Sequence, residues 1–156
     1  MKRMPVAATA AVMAATLMGA LTGCGLPVDP QGTLDRIDAG LLRAGASPSV
    51  GLVEVAGDAV DGPLAEVVED FARERGARVE WTVGSEEELV DALEAGKLDL
   101  AIGGMTDATP WADRASVTRS YPQLDAAGGR SVVFLLPLGE NATQSALERF
   151  VDGEVG

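Results

Sequence analysis

The residues with the most chemistry to offer lie between positions 97 and 114, "KLDLAIGGMTDATPWADR". Gly103 and Gly104 lack a Cβ, so the backbone there is expected to reach positive φ and to let a ligand approach the main chain closely. Met105 and Thr106 follow, and the threonine hydroxyl both donates and accepts. Thr109 with Pro110 has the form of an N-cap and first helical position, so "PWADR" is expected to open a helical turn whose free N–H groups favour an anion. Trp111 reads equally as a core residue or a rim contact. Arg114 carries a planar five-donor fork suited to a carboxylate. Taken singly, a Gly-Gly pair is a turn, and Arg114 is a surface partner for Asp107 or Asp113. Their joint position after an apolar strand points instead to a ligand site made of Gly103, Gly104, Met105, Thr106, Trp111 and Arg114.

The rest of the chain narrows the chemistry. Cys24 is the only cysteine and there is no histidine. A disulfide within the chain, the usual Cys/His zinc sites and cysteine-histidine or serine-histidine catalysis are thereby excluded. Asp107 and Asp113 are the carboxylates nearest the loop, but no nucleophile, base and orienting group stand together. No enzyme activity, cofactor or metal is therefore expected. Acidic residues outnumber basic ones 24 to 12. Such a surface repels nucleic acid and anionic headgroups, so no nucleic-acid partner is expected.

Lys2 and Arg3 precede a small, apolar run over 6–21 that leads to "LTGC" at Cys24. This is the order of a secretory signal, and the run falls short of the roughly 20 residues that a spanning helix needs. "LTGC" resembles the bacterial lipobox, which makes Cys24 the expected lipidation site and the N-terminal lipid the expected membrane contact. Residues 1–23 are thus read as a lipoprotein signal peptide, 24–32 ("CGLPVDPQG") as a tether and 33–156 as one domain. Removal of the signal leaves 133 residues with a net charge of −14, enough chain for a single core.

The elements that must position the loop follow from periodicity. Thr33 is placed to cap a short helical turn, and "LLRAGAS" reads as a strand ended by Ser47-Pro48. "VGLVEVAGDAVDG" reads equally as a short strand or an extended loop. From Pro63, the spacing of Leu64, Val67, Val68, Phe71 and Ala72 predicts an amphipathic helix that stops at Gly76. "ARVEWTV" alternates Val79, Trp81 and Val83 against Arg78, Glu80 and Thr82, the pattern of a half-buried strand. Ser85 with Glu88 predicts a capping box for a helix bearing Leu89, Val90 and Leu93 and closed at Gly96. "LDLAI" is the next strand. Val132–Leu136 reads as a buried strand, and Asn141 as the cap of a last helix with Ala142, Ala146, Leu147, Phe150 and Val151 on one stripe. Strands alternating with helices predict an α/β fold with an open, mostly parallel sheet. Ligands of such sheets gather outside the carboxyl ends of the strands, where the loop after "LDLAI" stands.

Over roughly residues 41–121 the sequence resembles the amino-acid type of extracytoplasmic solute-binding proteins, the receptors of ABC importers. "LLRAGASP" is similar to that family's opening strand, "GPLAEVVEDFARERGARVEWTV" to its first helix and second strand, and "LVDALEAGKLDLAIGGMT" to its Gly-Met-Thr segment. "RSYPQ" stands where the family's aromatic hinge falls. The resemblance implies one lobe of the periplasmic-binding-protein type II fold, an extracytoplasmic location, a small amino-acid-like solute and an ABC permease as partner. It carries the family's ligand contacts onto Gly104 and Thr106, and its carboxylate-binding arginine onto Arg114. Arg114 lies five residues beyond Thr109, later than the family pattern has it. The family's second lobe has no counterpart: the chain runs from the hinge through "DAAGG" into "RSVVFLLPLGENATQSALERF", which resembles the returning strand and terminal helix of the first lobe. A half site buries less ligand and is expected to bind more weakly. The alternative role for such a lobe is an envelope interaction module that binds a protein partner.

Overall fold

The computed structural model describes residues 25–155. The expected signal peptide and Cys24 lie outside the described residues. The elements in chain order are α1 (Thr33–Asp38), β1 (Leu41–Ala46), the hairpin β2 (Glu54–Ala56) and β3 (Ala59–Asp61), α2 (Pro63–Glu74), β4 (Arg78–Val83) and α3 (Glu86–Glu94). They continue with β5 (Leu100–Ile102), β6 (Ser116–Val117), a 3-10 turn (Asp125–Ala127), β7 (Leu135–Leu136) and α4 (Asn141–Glu154).

The main sheet has the order β4-β1-β5-β7-β6. Its first three strands are parallel, with Leu41 opposite Arg78 and Ala44 opposite Leu100. The later two run antiparallel, β7 against β5 and β6 against β7. The fold is therefore α/β, as the alternation of strands and helices predicts, with an antiparallel return added at one side.

Side chains alternate across the sheet and divide the core. Leu42, Ala44, Leu100, Ile102, Phe134 and Leu136 pack with Leu64, Val68 and Phe71 of α2 and Leu147 and Val151 of α4. Ala101, Val133 and Leu135 face the other way, against Leu89, Val90 and Leu93 of α3. The close seating of α3 needs Gly45 in β1, because a Cβ there would stand 2.7 Å from Leu98 Cδ1 and 2.8 Å from Leu89 Cδ2.

The predicted stops and caps of α2 and α3 hold. Pro63 opens α2, its stripe is buried and Gly76 follows at φ 70. Ser85 and Glu88 form the reciprocal capping box, and Gly96 lies at φ 65. Three expectations are corrected. Gly32, not Thr33, caps α1; Thr33 is buried, and its N–H donates to Glu140 Oε2 at 3.1 Å. Asn141 is not the cap of α4, because Asp29 takes the free N–H groups of Ala142 (2.7 Å) and Thr143 (3.1 Å). A carboxylate from a distant segment has replaced the local cap in both helices. Asp29, within the stretch read as tether, thus joins the packed domain. Val83 is the third correction: it is 40% exposed, since β4 lies at the edge of the sheet.

The segment left open, 50–62, is the β2–β3 hairpin. Val132–Leu136 is buried throughout but pairs as a strand only at Leu135–Leu136, with a bridge from Val132 to Thr106. Tyr121, in a stretch without periodicity, is fully buried against Phe134. Among the described residues no helix is long and apolar enough to cross a membrane.

Candidate functional site

The parallel strands β4, β1 and β5 deliver three chain exits to one edge of the sheet: Gly84-Ser85 after β4, Ser47 to Val50 after β1, and Gly103 to Thr106 after β5. Ser47 N–H donates to Ile102 O at 2.9 Å, which ties the second exit to the third.

Neither Gly103 nor Gly104 has a positive φ, contrary to expectation. Space, not φ, distinguishes the two, and it requires glycine at 103. A Cβ at 103 would stand 2.9 Å from Met105 Sδ and 3.0 Å from Ser47 Cβ. At 104 it would lie 3.1 Å from Ser49 Oγ and 4.0 Å from Glu86 Oε1. Gly103 is buried and Gly104 exposed, so only Gly104 presents its backbone at the surface. Met105 is 2% exposed and belongs to the core under α3, beside Val133 and Leu135, instead of lining the loop.

Thr106 organises the loop. Its hydroxyl accepts from Ala108 N–H (3.4 Å) and its carbonyl from Thr109 N–H (2.9 Å). Thr109 does not cap: its hydroxyl is buried with no partner. "PWADR" makes a single turn in which Trp111 O accepts from Arg114 N–H and Ala115 N–H, both at 2.9 Å. One turn is too short to gather a helix dipole. Trp111 is half-buried at the rim, where Nε1 donates to Glu86 Oε2 at 3.2 Å.

Arg114 sits over the Trp111 ring, 5.7 Å from its centroid. Its Nε donates to Glu94 Oε2 at 3.1 Å and its Nη2 to Asp91 Oδ1 at 2.7 Å, with a further contact to Glu94. The bonds to Glu94 and then Asp91 hold the guanidinium above its ordinary pKa. Its partners lie on α3, not at Asp107 or Asp113, and the fork predicted for a ligand carboxylate holds two carboxylates of the chain itself. Asp107 and Asp113 are exposed and form no salt bridge among the described residues.

Three residues reach this edge that spacing had not singled out. Ser49 sits against Gly104, and Glu86, in the first turn of α3, holds Trp111. Arg130 Nη1 donates to Val50 O at 3.0 Å. The Ser-Pro-Ser run after β1 was a legible hint for Ser49; Arg130 had no local signal. Among the described residues no cluster of His, Cys, Asp and Glu could hold a metal ion.

No family model and no curated protein matches the chain. Solved structures do. The arginine-bound form of domain 1 from TmArgBP superposes with a TM-score of 0.64 at 16% identity, over 76% of this chain and 97% of that one. A point mutant of the same domain gives 0.66 at 17%, over 77% and 96%. An ancestral cyclohexadienyl dehydratase gives 0.50 at 24%, over 62% of this chain and 40% of that one. At these identities the likeness establishes a fold alone: the protein has the fold of one lobe of the periplasmic-binding-protein type. More particularly, 77% of the chain corresponds to nearly all of that domain, while it spans two fifths of the longer dehydratase chain. Since one fold carries a binding protein and a dehydratase, function must be argued from the site.

Proposed function

We propose that the protein is a lipid-anchored, extracytoplasmic solute-binding lobe that recognises an amino acid or similar small carboxylate and presents it to an ABC permease, without catalysing a reaction. The observation that carries this reading is the match to nearly all of an isolated domain described as arginine-bound. A single lobe of this shape is thus a sufficient frame for a small solute. The contacts would be the exposed backbone of Gly104 and the hydroxyls of Ser49 and Thr106, with Trp111 as the wall. Cys24 would carry the lipid.

An open half site leaves much of the ligand in water, so micromolar or weaker affinity is expected, roughly −8 kcal/mol or less favourable. The test is calorimetric titration of the purified protein with each of the twenty common amino acids. Saturable binding of at least one supports the reading, and heat of dilution alone across the whole set refutes it. One feature favours the second reading, an interaction module: Val50 is 95% exposed and Val83 40%, both at the ligand edge of the sheet. Co-purification of an envelope protein that a Val50→Asp change abolishes, with no amino acid bound, would establish it.

A further inference from the structure

Resting on the proposed binding of a small carboxylate, we infer that Arg130 is the cation that receives that carboxylate, and that Arg114 is not. Among the described residues, seven arginines lie within salt-bridge distance of an aspartate or glutamate: Arg36, Arg43, Arg73, Arg75, Arg78, Arg114 and Arg119. Arg130 and Arg149 have no such partner, and Arg149 stands on α4 beside Leu26, Pro27 and Leu34, so Arg130 is the one beside the loop. It donates only to two carbonyls, Val50 O at 3.0 Å and Ala127 O at 3.4 Å. A guanidinium has five N–H donors, so a fork held by carbonyls keeps both its full charge and free donors.

Its placement is a product of the fold. The 3-10 turn ends in Gly128 and Gly129, at φ 57 and 81, which reverse the chain before Arg130. Two residues later Val132 bridges Thr106, and Val133 N–H donates to Met105 O at 3.1 Å. The side chain therefore emerges beside the loop after β5 and crosses to the exit of β1, where Nη2 would be 3.5 Å from a Cβ on Gly51. Val50, which it grips, adjoins Ser49, and Ser49 touches Gly104.

A second charge gives the site a direction. Glu86 stands 4.0 Å from the Cβ position of Gly104 and repels the negative end of any ligand seated there. Arg130, held at Val50 next to Ser49, attracts that end. In a protein with twice as many acidic as basic residues, a carboxylate needs such a local cation to bind at all.

The experiment uses the purified protein, the amino acid that binds it most tightly in the twenty-member titration, and the amine left when that amino acid lacks its carboxylate. Arg130→Ala should weaken amino-acid binding by about tenfold to a hundredfold, the effect of losing hydrogen bonds to a charged group. It should leave binding of the amine within about twofold, because the amine has no carboxylate for Arg130 to meet. Arg130→Lys should recover part of the loss, since it keeps the charge but not the fork. Unchanged melting and circular dichroism are expected, as Arg130 is exposed and bonds only carbonyls. Equal binding by Arg130→Ala and the parent protein overturns the assignment, as does a loss produced by Arg114→Ala alone. If no amino acid binds the parent protein, the solute-binding reading has failed and this inference falls with it; if one binds and Arg130→Ala is silent, only the inference falls.

Discussion

The loop after β5 is held in place from the far end of that strand, and Asp99→Asn tests how much that anchor contributes. Asp99 is fully buried and accepts five hydrogen bonds. Arg43 supplies its backbone N–H at 2.9 Å, Nε at 3.2 Å and Nη2 at 2.6 Å; Arg36 supplies Nε at 3.2 Å and Nη2 at 2.9 Å. One carboxylate thus ties β5 to β1 and α1. Removing one member of a fully buried ion pair costs about 3–5 kcal/mol. Here the arginine side chains keep 31% and 24% of their exposure, so water compensates part of the loss, and about 2–3 kcal/mol is expected. For a domain of this size that corresponds to a fall in Tm of roughly 6–15 °C. The pH dependence separates charge from packing. Burial alone would raise the Asp99 carboxyl, but the hydrogen bonds from Arg43 and Arg36 outweigh it and hold the group below its ordinary value. A carboxylate depressed in the folded state contributes stability that is complete above the unfolded value, about 3.9, and is lost as pH falls through the folded value. Urea titrations followed by circular dichroism should therefore show a constant gap between parent and Asp99→Asn from pH 7 to about 5, closing only below about pH 4. A gap under about 0.5 kcal/mol at pH 7, or one that persists undiminished at pH 2.5, would refute the reasoning.

Further outcomes follow from the geometry. Gly45→Ala should destabilise by about 1–3 kcal/mol, because its methyl meets the buried ends of Leu98 and Leu89 at 2.7 and 2.8 Å; thermal melting checks it. Gly104→Val should leave stability nearly unchanged, since the neighbour at 3.1 Å is the hydroxyl of Ser49 at the rim, yet abolish calorimetric binding by covering the backbone. Arg114→Ala should leave the dissociation constant within about twofold, because its fork is engaged by Asp91 and Glu94 on α3. Asp29→Ala should cost about 1–2 kcal/mol in urea unfolding, as it frees the first N–H groups of α4 and removes the acceptor of Leu34 N–H.

Periodicity and punctuation revealed α2, β4, α3 and β5 nearly to the residue. Each of those elements carries its own instructions: an apolar stripe, a proline at the start, a glycine at the stop, a capping box. The ends of α1 and α4 were misread because their instructions are not local. Asp29 and Glu140 satisfy N–H groups more than a hundred residues away in sequence, and no nearby pattern betrays such a pairing. Tyr121 escaped for a related reason. Its segment is neither helix nor strand, and a lone aromatic becomes core only once Val132 and Phe134 have folded back over it.

The site was legible as a place and not as a set of contacts. That the loop after the third parallel strand shares an edge with the exits of the other two follows from chain order alone, because parallel strands must all end on the same side. Which side chains point there depends on a competition that spacing cannot score. Arg114 could meet a ligand only if no carboxylate of the chain met it first, and Asp91 and Glu94, one helical turn apart on α3, do so. The same excess of acidic residues that engages Arg114 engages six other arginines, which leaves Arg130 and Arg149, and of these Arg130 is the one that reaches the exit of β1. Arg130 follows two glycines and rises among backbone carbonyls, which take two of its N–H donors in place of a carboxylate. In an acidic lobe of this kind, a carboxylate ligand would go to a cation that the fold has kept from its own carboxylates.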